Sequence, residues 1–130
     1  MYVSILQCFE SNGNFLWYYG RYRGNEDMTN PQGLCFDSKG RLFVCDTGNK
    51  RIHIVSSQGK NMCHIPYSKL RMSPDPFLVR FTPKGEMVVA NREGLVKIFT
   101  MRFGWMLLYG KYYGLHSLIN VKYGYLVSNL

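Results

Sequence analysis

Short apolar runs, each interrupted by a turn residue, recur along the chain at a nearly constant interval. The segments that start at Gly33, Phe77 and Ser117 each contain an apolar run, a glycine turn and a second apolar run. The turn glycines of these hairpins are Gly40, Gly85 and Gly124, and those of an interleaved second set are Gly13, Gly59 and Gly104. Because glycine supplies the positive φ that tight turns often require, the pattern predicts two alternating hairpins. One period of about 45 residues then contains four strands.

The predicted strands carry apolar residues in both phases of the alternation, as in Leu42-Phe43-Val44-Cys45. A strand of this composition belongs to a sheet that is covered on both faces. Four-stranded sheets stacked around an axis satisfy this requirement, and a period of ~40 to 50 residues is typical of propeller blades. The sequence therefore predicts an all-β fold, specifically part of a β-propeller.

The predicted propeller consists of four segments of the chain. The strands of a blade are named a to d from the axis outward. Residues 1–19 are predicted to supply strands c and d of one blade, and residues 31–67 form the best-preserved repeat. Residues 76–110 form a degenerate repeat, and residues 115–130 are predicted to open a further blade with strands a and b. Together they amount to about three blade equivalents.

One repeat carries a specific motif, P-x-G-x-x-x-D-x-x-G-x-x-x-V-x-D-x-x-N-x-R-I. Its positions are filled by Pro31, Gly33, Asp37, Gly40, Val44, Asp46, Asn49, Arg51 and Ile52. This segment resembles an NHL repeat, as found in the C-terminal propellers of tripartite-motif (TRIM) NHL proteins. The resemblance implies a ring of about six blades, of which this chain would supply half. Either a longer protein supplies the missing remainder, or two copies join head to tail as a homodimer.

Charge adds a candidate ligand class. The chain has 16 Lys and Arg against 8 Asp and Glu, a formal net charge of +8. A basic surface favours encounters with polyanions such as RNA, although it also serves simply to keep a domain soluble.

The candidate binding surface follows from strand direction. Because neighbouring strands run in opposite directions, the b-to-c loops and the d-to-a connectors share one edge of a propeller, named here the loop edge. Net charge does not distinguish this edge from the opposite one, but its connectors repeatedly mix cations with aromatic or apolar residues, which suits single-stranded RNA as well as protein. The predicted binding residues are Arg21, Arg23, Lys50, Arg51, Lys69, Arg71, Arg92 and Lys111.

The loop Asp46 to Arg51 has a structural interpretation that we favour over ligand contact. Asp46 and Asn49 have short polar side chains that can bond the loop backbone, and Gly48 or Asn49 can adopt a left-handed conformation. These three residues are predicted to hold the loop in shape.

Catalytic and membrane signatures are weak. The three histidines, His53, His64 and His116, are read as occupying unrelated positions without metal-ligand spacing. The cysteines do not form a zinc pattern and are predicted to be buried thiols. No cofactor, metal or membrane span is predicted, and the lack of a leader pattern favours a cytoplasmic protein.

The sequence thus predicts a non-catalytic module that recognises a protein partner through its loops. The TRIM resemblance implies a role as the substrate-recognition part of a ubiquitin ligase, whose ligase domains this chain does not carry. The alternative is binding of single-stranded RNA for post-transcriptional regulation. A metal-dependent propeller lyase or lactonase is a further, weaker alternative from fold analogy.

Overall fold

The computed structural model describes residues 4–21, 24–100 and 120–126. Ten β-strands occupy most of this part of the chain, and a single 3₁₀ turn, Tyr67–Lys69, follows β6. The strands are β1 Leu6–Phe9, β2 Phe15–Tyr19, β3 Pro31–Phe36, β4 Leu42–Asp46, β5 Arg51–Val55, β6 Asn61–Pro66, β7 Pro76–Phe81, β8 Met87–Asn91, β9 Leu95–Thr100 and β10 Asn120–Leu126. Within the described ranges, no helix is long and apolar enough to cross a membrane.

The strands form three antiparallel sheets. The hairpin β1–β2 is a half-blade, β3 to β6 form a four-stranded meander named the first blade, and β7 to β10 form a second four-stranded sheet, the second blade. In the first blade each strand pairs with the next along the chain, so β3 to β6 correspond to the predicted strands a to d. The all-β, NHL-type propeller prediction is confirmed.

The hairpin turns form where the sequence predicts them. Gly13, Gly40, Gly59 and Gly85 all have positive φ, between 77° and 94°. An L-residue with a side chain rarely adopts this conformation, which explains glycine at these positions. The predicted turn at Gly104 lies outside the described residues.

The end of the second blade differs from the prediction. Gly124 was expected to turn a hairpin of a further blade, but it lies inside β10, opposite Lys97 of β9. Antiparallel pairing with β10 satisfies backbone groups along the outer edge of β9, which would otherwise lack partners in the sheet. The segment predicted to fill this outer position, around residues 105–109, lies outside the described residues, as do residues 115–119 and 127–130.

Among the described residues, two apolar cores lie between the sheets. The larger lies between the first and second blades and includes Phe43, Ile54 and Val89, each fully buried. The smaller lies under the half-blade and includes Tyr19 and Val44. Full burial of side chains of this size contributes about 1.5 to 3 kcal/mol each to the free energy of folding, so face-to-face packing of blades holds the fold together.

Candidate functional site

The loop edge of the first blade is organised around Asp46. This residue ends β4, and its side chain is completely buried. Its Oδ1 accepts hydrogen bonds from the backbone N–H groups of Thr29 at 3.0 Å and Asn30 at 3.1 Å. Its Oδ2 accepts one from Nδ2 of Asn49 at 2.8 Å. Asp46 therefore joins the β4–β5 loop to the connector that leads into β3.

Asn49 completes this joint from the loop side. Its Nδ2 also donates to the carbonyl of Asp27 at 2.9 Å, and its Oδ1 accepts from the Thr29 hydroxyl at 3.0 Å. The contacts of Asp46 and Asn49 are those that a structural role in the loop requires. They leave little capacity on either side chain for a ligand.

The backbone of the loop differs from the prediction in one respect. Neither Gly48 nor Asn49 has a left-handed conformation; instead Lys50 does, with φ 55°. Gly48 is needed for another reason, because a Cβ there would lie 2.5 Å from Cβ of Thr29. The connector thus packs directly on the backbone of the loop at a distance that only glycine permits.

A buried chain of hydrogen bonds extends from Asp46 into the core. Nε2 of His53 lies 3.0 Å from Oδ2 of Asp46, and Nδ1 of His53 lies 2.7 Å from the Tyr19 hydroxyl. Since an ionised carboxylate only accepts, Nε2 carries the imidazole proton and Nδ1 accepts from Tyr19. The Tyr19 oxygen in turn accepts from Nδ2 of Asn61 at 2.8 Å. Every member of this network therefore has an oriented partner.

Burial and these bonds set the ionisation states. Burial lowers the pKa of His53 to about 4, although the bond to Asp46 acts in the opposite direction. Burial alone would raise the pKa of Asp46, but the hydrogen bonds from His53, Asn30, Asn49 and Thr29 together lower it. At neutral pH the pair is thus a neutral imidazole donating to a carboxylate.

The roles of His53 and Tyr19, which lie 34 residues apart in the chain, were not predicted from the sequence. One signal was present: His53 is a polar residue in an otherwise apolar strand interior, and buried polar groups require partners. The assignment of the histidines to unrelated positions was also wrong for two of them. His53 and His64 face each other across β5 and β6, with ring centroids 4.7 Å apart.

Ligand chemistry at these histidines is limited by their existing bonds. Both ring nitrogens of His53 have protein partners, and Nε2 of His64 lies 2.6 Å from the carbonyl of Asn25. Within the part of the chain that the structure describes, no group of three His, Cys, Asp or Glu is placed to hold a metal ion. Cys45 and Cys63 are buried free thiols, whereas Cys8 and Cys35 are only half-buried.

Several of the predicted binding cations interact with the protein itself. Arg51 donates to the carbonyls of Gly24 and Asp27, so it reinforces the connector. Lys50 forms an ion pair with Asp75 at the surface. The guanidinium of Arg21 lies over the ring of Tyr18, and Arg92 lies over Phe77 and donates to Gln32 at 3.3 Å. Arg23 and Lys111 lie outside the described residues.

Lys69 and Arg71 are the exposed cations of the connector that follows β6. Within the described ranges, neither side chain has a hydrogen bond or ion pair. The backbone of Arg71 is left-handed, with φ 52°, and its carbonyl accepts from Nζ of Lys97 at 2.6 Å. The position of this connector is thereby fixed while its side chains remain available.

A groove of about 500 Å³ lies between this connector and the β4–β5 loop. Its lining residues are Lys50, Tyr67, Ser68, Arg71, Met72, Ser73 and Asp75. The backbone N–H of Tyr67 donates to the carbonyl of Lys50 at 2.9 Å and so fastens the connector to the loop. The groove combines charges of both signs, hydroxyls and apolar surface.

The second blade holds its connector differently. Asn91 occupies the position of Asp46, and its Nδ2 donates to the carbonyl of Pro74 at 3.0 Å. Lys97 stands opposite Val89, as His53 stands opposite Val44, and donates to the carbonyl of Leu70 at 3.1 Å. Asn91 and Lys97 thus replace Asp46 and His53 at equivalent positions, and the loop is still bonded to its connector.

Comparison with known proteins agrees with the fold. Residues 28–55 match the NHL repeat, a range that contains the motif loop and the whole of strands β3, β4 and β5. The chain therefore contains an NHL repeat within a β-propeller fold. It is also 29% identical over 84 residues to NHL repeat-containing protein 3 of Homo sapiens, a match that covers 64% of this chain. The match spans 24% of that protein's length. The resemblance to TRIM-NHL proteins in particular stays a prediction.

Proposed function

We propose that this chain is a non-catalytic module that binds a protein partner through the loop edge. The observation that carries this proposal is the groove between the β4–β5 loop and the connector after β6. Protein recognition sites combine an apolar base with a few placed polar groups. Met72 and Tyr67, both largely buried, form the apolar base of the groove, and Lys50, Arg71 and Asp75 supply charge.

The groove is preorganised, which favours a binding role. Asp46 and Asn49 hold one wall, and the bonds from Lys97 to two connector carbonyls hold the other. Binding to a surface that is already ordered avoids much of the entropy cost of association. Arg71, in its left-handed conformation, occupies a backbone region that L-residues visit rarely and that often marks functional positions.

The test is a selection of displayed peptides on the immobilised chain, followed by affinity measurements with two variants. Arg71→Asn removes the charge with a residue that tolerates the left-handed backbone, and Lys39→Asn removes an exposed charge from the opposite edge. We expect Arg71→Asn to weaken the selected peptides about tenfold and Lys39→Asn to change their affinity less than twofold. Peptides that bind both variants equally well would place recognition elsewhere.

Single-stranded RNA is the second candidate, and the exposed side chains of Lys69 and Arg71 favour it. RNA binding predicts that affinity for an oligouridine falls steeply as salt is raised, and falls again when Arg21, Arg23, Lys69 and Arg71 are neutralised together. Tyr67 is buried and so cannot stack on a base, which is why we rank protein recognition first.

A finer role, substrate recognition for a TRIM-type ubiquitin ligase, is supported by the sequence resemblance alone. It predicts that a partner found through the loop edge is ubiquitylated in a reaction that depends on Arg71. A partner that binds but is never modified would restrict the function to binding.

A further inference from the structure

Two cations of the groove share an unusual backbone conformation. Among the described residues other than glycine, only Lys50 and Arg71 have positive φ, 55° and 52°. An L-residue with a Cβ is crowded in this region, and glycine or asparagine would adopt it at lower cost. Lys50 belongs to the β4–β5 loop and Arg71 to the connector after β6, so each side of the groove holds a cation on a strained backbone. Strain of this kind is concentrated at binding sites.

The backbone that carries Arg71 is held firmly in place. Its neighbours Leu70 and Met72 are buried, with 0% and 8% exposure. Nζ of Lys97 donates to the carbonyls of Leu70 and Arg71 at 3.1 and 2.6 Å. The side chain of Arg71, in contrast, is exposed and has no hydrogen bond or ion pair within the described ranges. A positive charge without a protein counter-ion is therefore presented from a rigid base.

The other charges that line the groove compensate each other. Lys50 forms its ion pair with Asp75, so Arg71 is the charged lining residue that lacks a counter-charge. A group with a single negative charge matches this arrangement. A phosphate, which carries nearly two negative charges at neutral pH, would in addition be repelled by the carboxylate of Asp75. The charges of the groove thus favour a carboxylate ligand.

The remaining chemistry of the groove suits a short peptide. A guanidinium binds a carboxylate through two parallel N–H···O bonds. The hydroxyls of Ser68 and Ser73 are available at the lining for the polar backbone of a ligand, and Met72 and Tyr67 form the apolar base. The volume of about 500 Å³ is within the range of sites that hold small ligands, ~300 to 1,000 Å³. It accommodates a few residues of a linear segment and not a folded surface.

We infer that the groove binds a linear peptide segment through one Asp or Glu side chain, whose carboxylate pairs with Arg71. An apolar side chain next to this acidic residue lies on the base formed by Met72 and Tyr67. The inference rests on the proposed function, protein recognition at the loop edge, and adds the chemistry of the partner. Asp75 determines specificity, because it occupies Lys50 and disfavours a phosphate at the same place.

Three displayed libraries of linear peptides, selected on the immobilised full chain, test this chemistry. The first has a central Glu followed by Leu and excludes acidic residues elsewhere, the second has Gln in place of that Glu, and the third is unrestricted. We expect binders from the Glu library. The best of them, synthesised as a soluble peptide, should bind at least tenfold more tightly than the same peptide with Gln, and at least fivefold more tightly than the same peptide with phosphoserine.

Variants of the chain assign this binding to the groove. Arg71→Gly removes the charge and the strain together, so it should not lower the melting temperature but should weaken binding of the Glu peptide at least tenfold. Arg71→Asp keeps a residue that tolerates the left-handed backbone; it should lose the Glu peptide and gain affinity for the corresponding Lys peptide, which an unfolded variant would not do. Asp75→Asn should tighten binding of the phosphoserine peptide at least fivefold. Lys39→Asn, on the opposite edge, is the control and should change each affinity less than twofold.

Four outcomes would overturn the inference, and they separate it from the proposed function. Binders from the unrestricted library that bind equally well with Gln in place of their acidic residues would remove the carboxylate and leave protein recognition standing. The absence of binders from all three libraries would remove both. A phosphoserine peptide or an oligouridine that binds the unmodified chain more tightly than the Glu peptide, and depends on Arg71, would make a phosphate the ligand. An affinity for the Glu peptide that Arg71→Asp leaves unchanged would place the carboxylate outside the groove.

Discussion

The loops β4–β5 and β8–β9 occupy equivalent positions in neighbouring blades, yet they hold their connectors with different chemistry. The first uses a buried carboxylate, Asp46, which accepts bonds from two backbone amides, an amide side chain and an imidazole. The second uses Asn91, whose Oδ1 accepts from the backbone amides of Glu93 and Leu95 inside its own loop. Asp46 of the motif and Asn91 are therefore two different side chains that bond a loop to its connector at the same position of a blade.

Removal of the carboxylate should have the largest effect. Asp46→Ala leaves two backbone amides and the protonated nitrogen of His53 buried without an acceptor, so we expect the free energy of unfolding to fall by about 3 to 5 kcal/mol. Asn91→Ala should cost only about 1 to 2 kcal/mol, because fewer and weaker bonds are lost. Urea unfolding of both variants measures the difference, and equal losses would contradict the distinction between the loops.

Acid should weaken the first loop before the second. The pKa of His53 is about 4 in the folded state, against 6.5 for an ordinary histidine, so between these values the unfolded chain binds the proton more readily. The stabilisation is complete above pH 6.5 and is lost as the pH falls toward 4, by up to about 3 kcal/mol.

Denaturant unfolding at a series of pH values tests this. His64, whose pKa is also lowered, mainly by burial, acts in the same direction. The variant His64→Gln should nevertheless retain most of the pH dependence, because it keeps His53. A profile of this variant that is flat between pH 4 and 6.5 would show that His53 is not the group responsible.

The close approach at Gly48 should be sensitive to a single methyl group. Gly48→Ala places a Cβ 2.5 Å from Thr29, so the connector must shift, and we expect a loss of about 1 to 3 kcal/mol. At Gly85 nothing lies within 4 Å of the position that an added methyl would take, but φ is +84°, so Gly85→Ala should cost about 1 kcal/mol through backbone strain alone. Thermal unfolding of the two variants separates crowding from strain.

The surface ion pair should contribute least. Lys50 pairs with Asp75, but the Lys50 side chain is 66% exposed. Asp75→Asn should therefore change the free energy of unfolding by less than about 1 kcal/mol, and by less still at high salt. A salt titration of Asp75→Asn measures this change. If the free energy of unfolding falls by more than about 1 kcal/mol, the groove depends on this ion pair for its shape.

As far as β9, the strands, their grouping into blades and the turn glycines Gly13, Gly40, Gly59 and Gly85 were predictable because they depend on local patterns with fixed periods. The network of Tyr19 and His53 was not, since it joins residues of different blades whose proximity follows only from packing. The left-handed conformation was predicted at Gly48 or Asn49 and lies at Lys50. Glycine also serves close packing, as at Gly48, and sequence does not distinguish that role from turn geometry. The placement of β10 depends on competition for the edge of β9, which no local pattern encodes.

Site-resolved amide hydrogen exchange tests the account of the first loop most directly. In the unmodified chain the amides of Thr29 and Asn30 should be protected, because each donates to Asp46 in the buried joint. Asp46→Ala should accelerate their exchange by about a hundredfold or more, and Asn91→Ala should leave it nearly unchanged. Fast exchange of both amides in the unmodified chain, or equal acceleration in the two variants, would contradict the claim that this motif residue holds the loop edge in place.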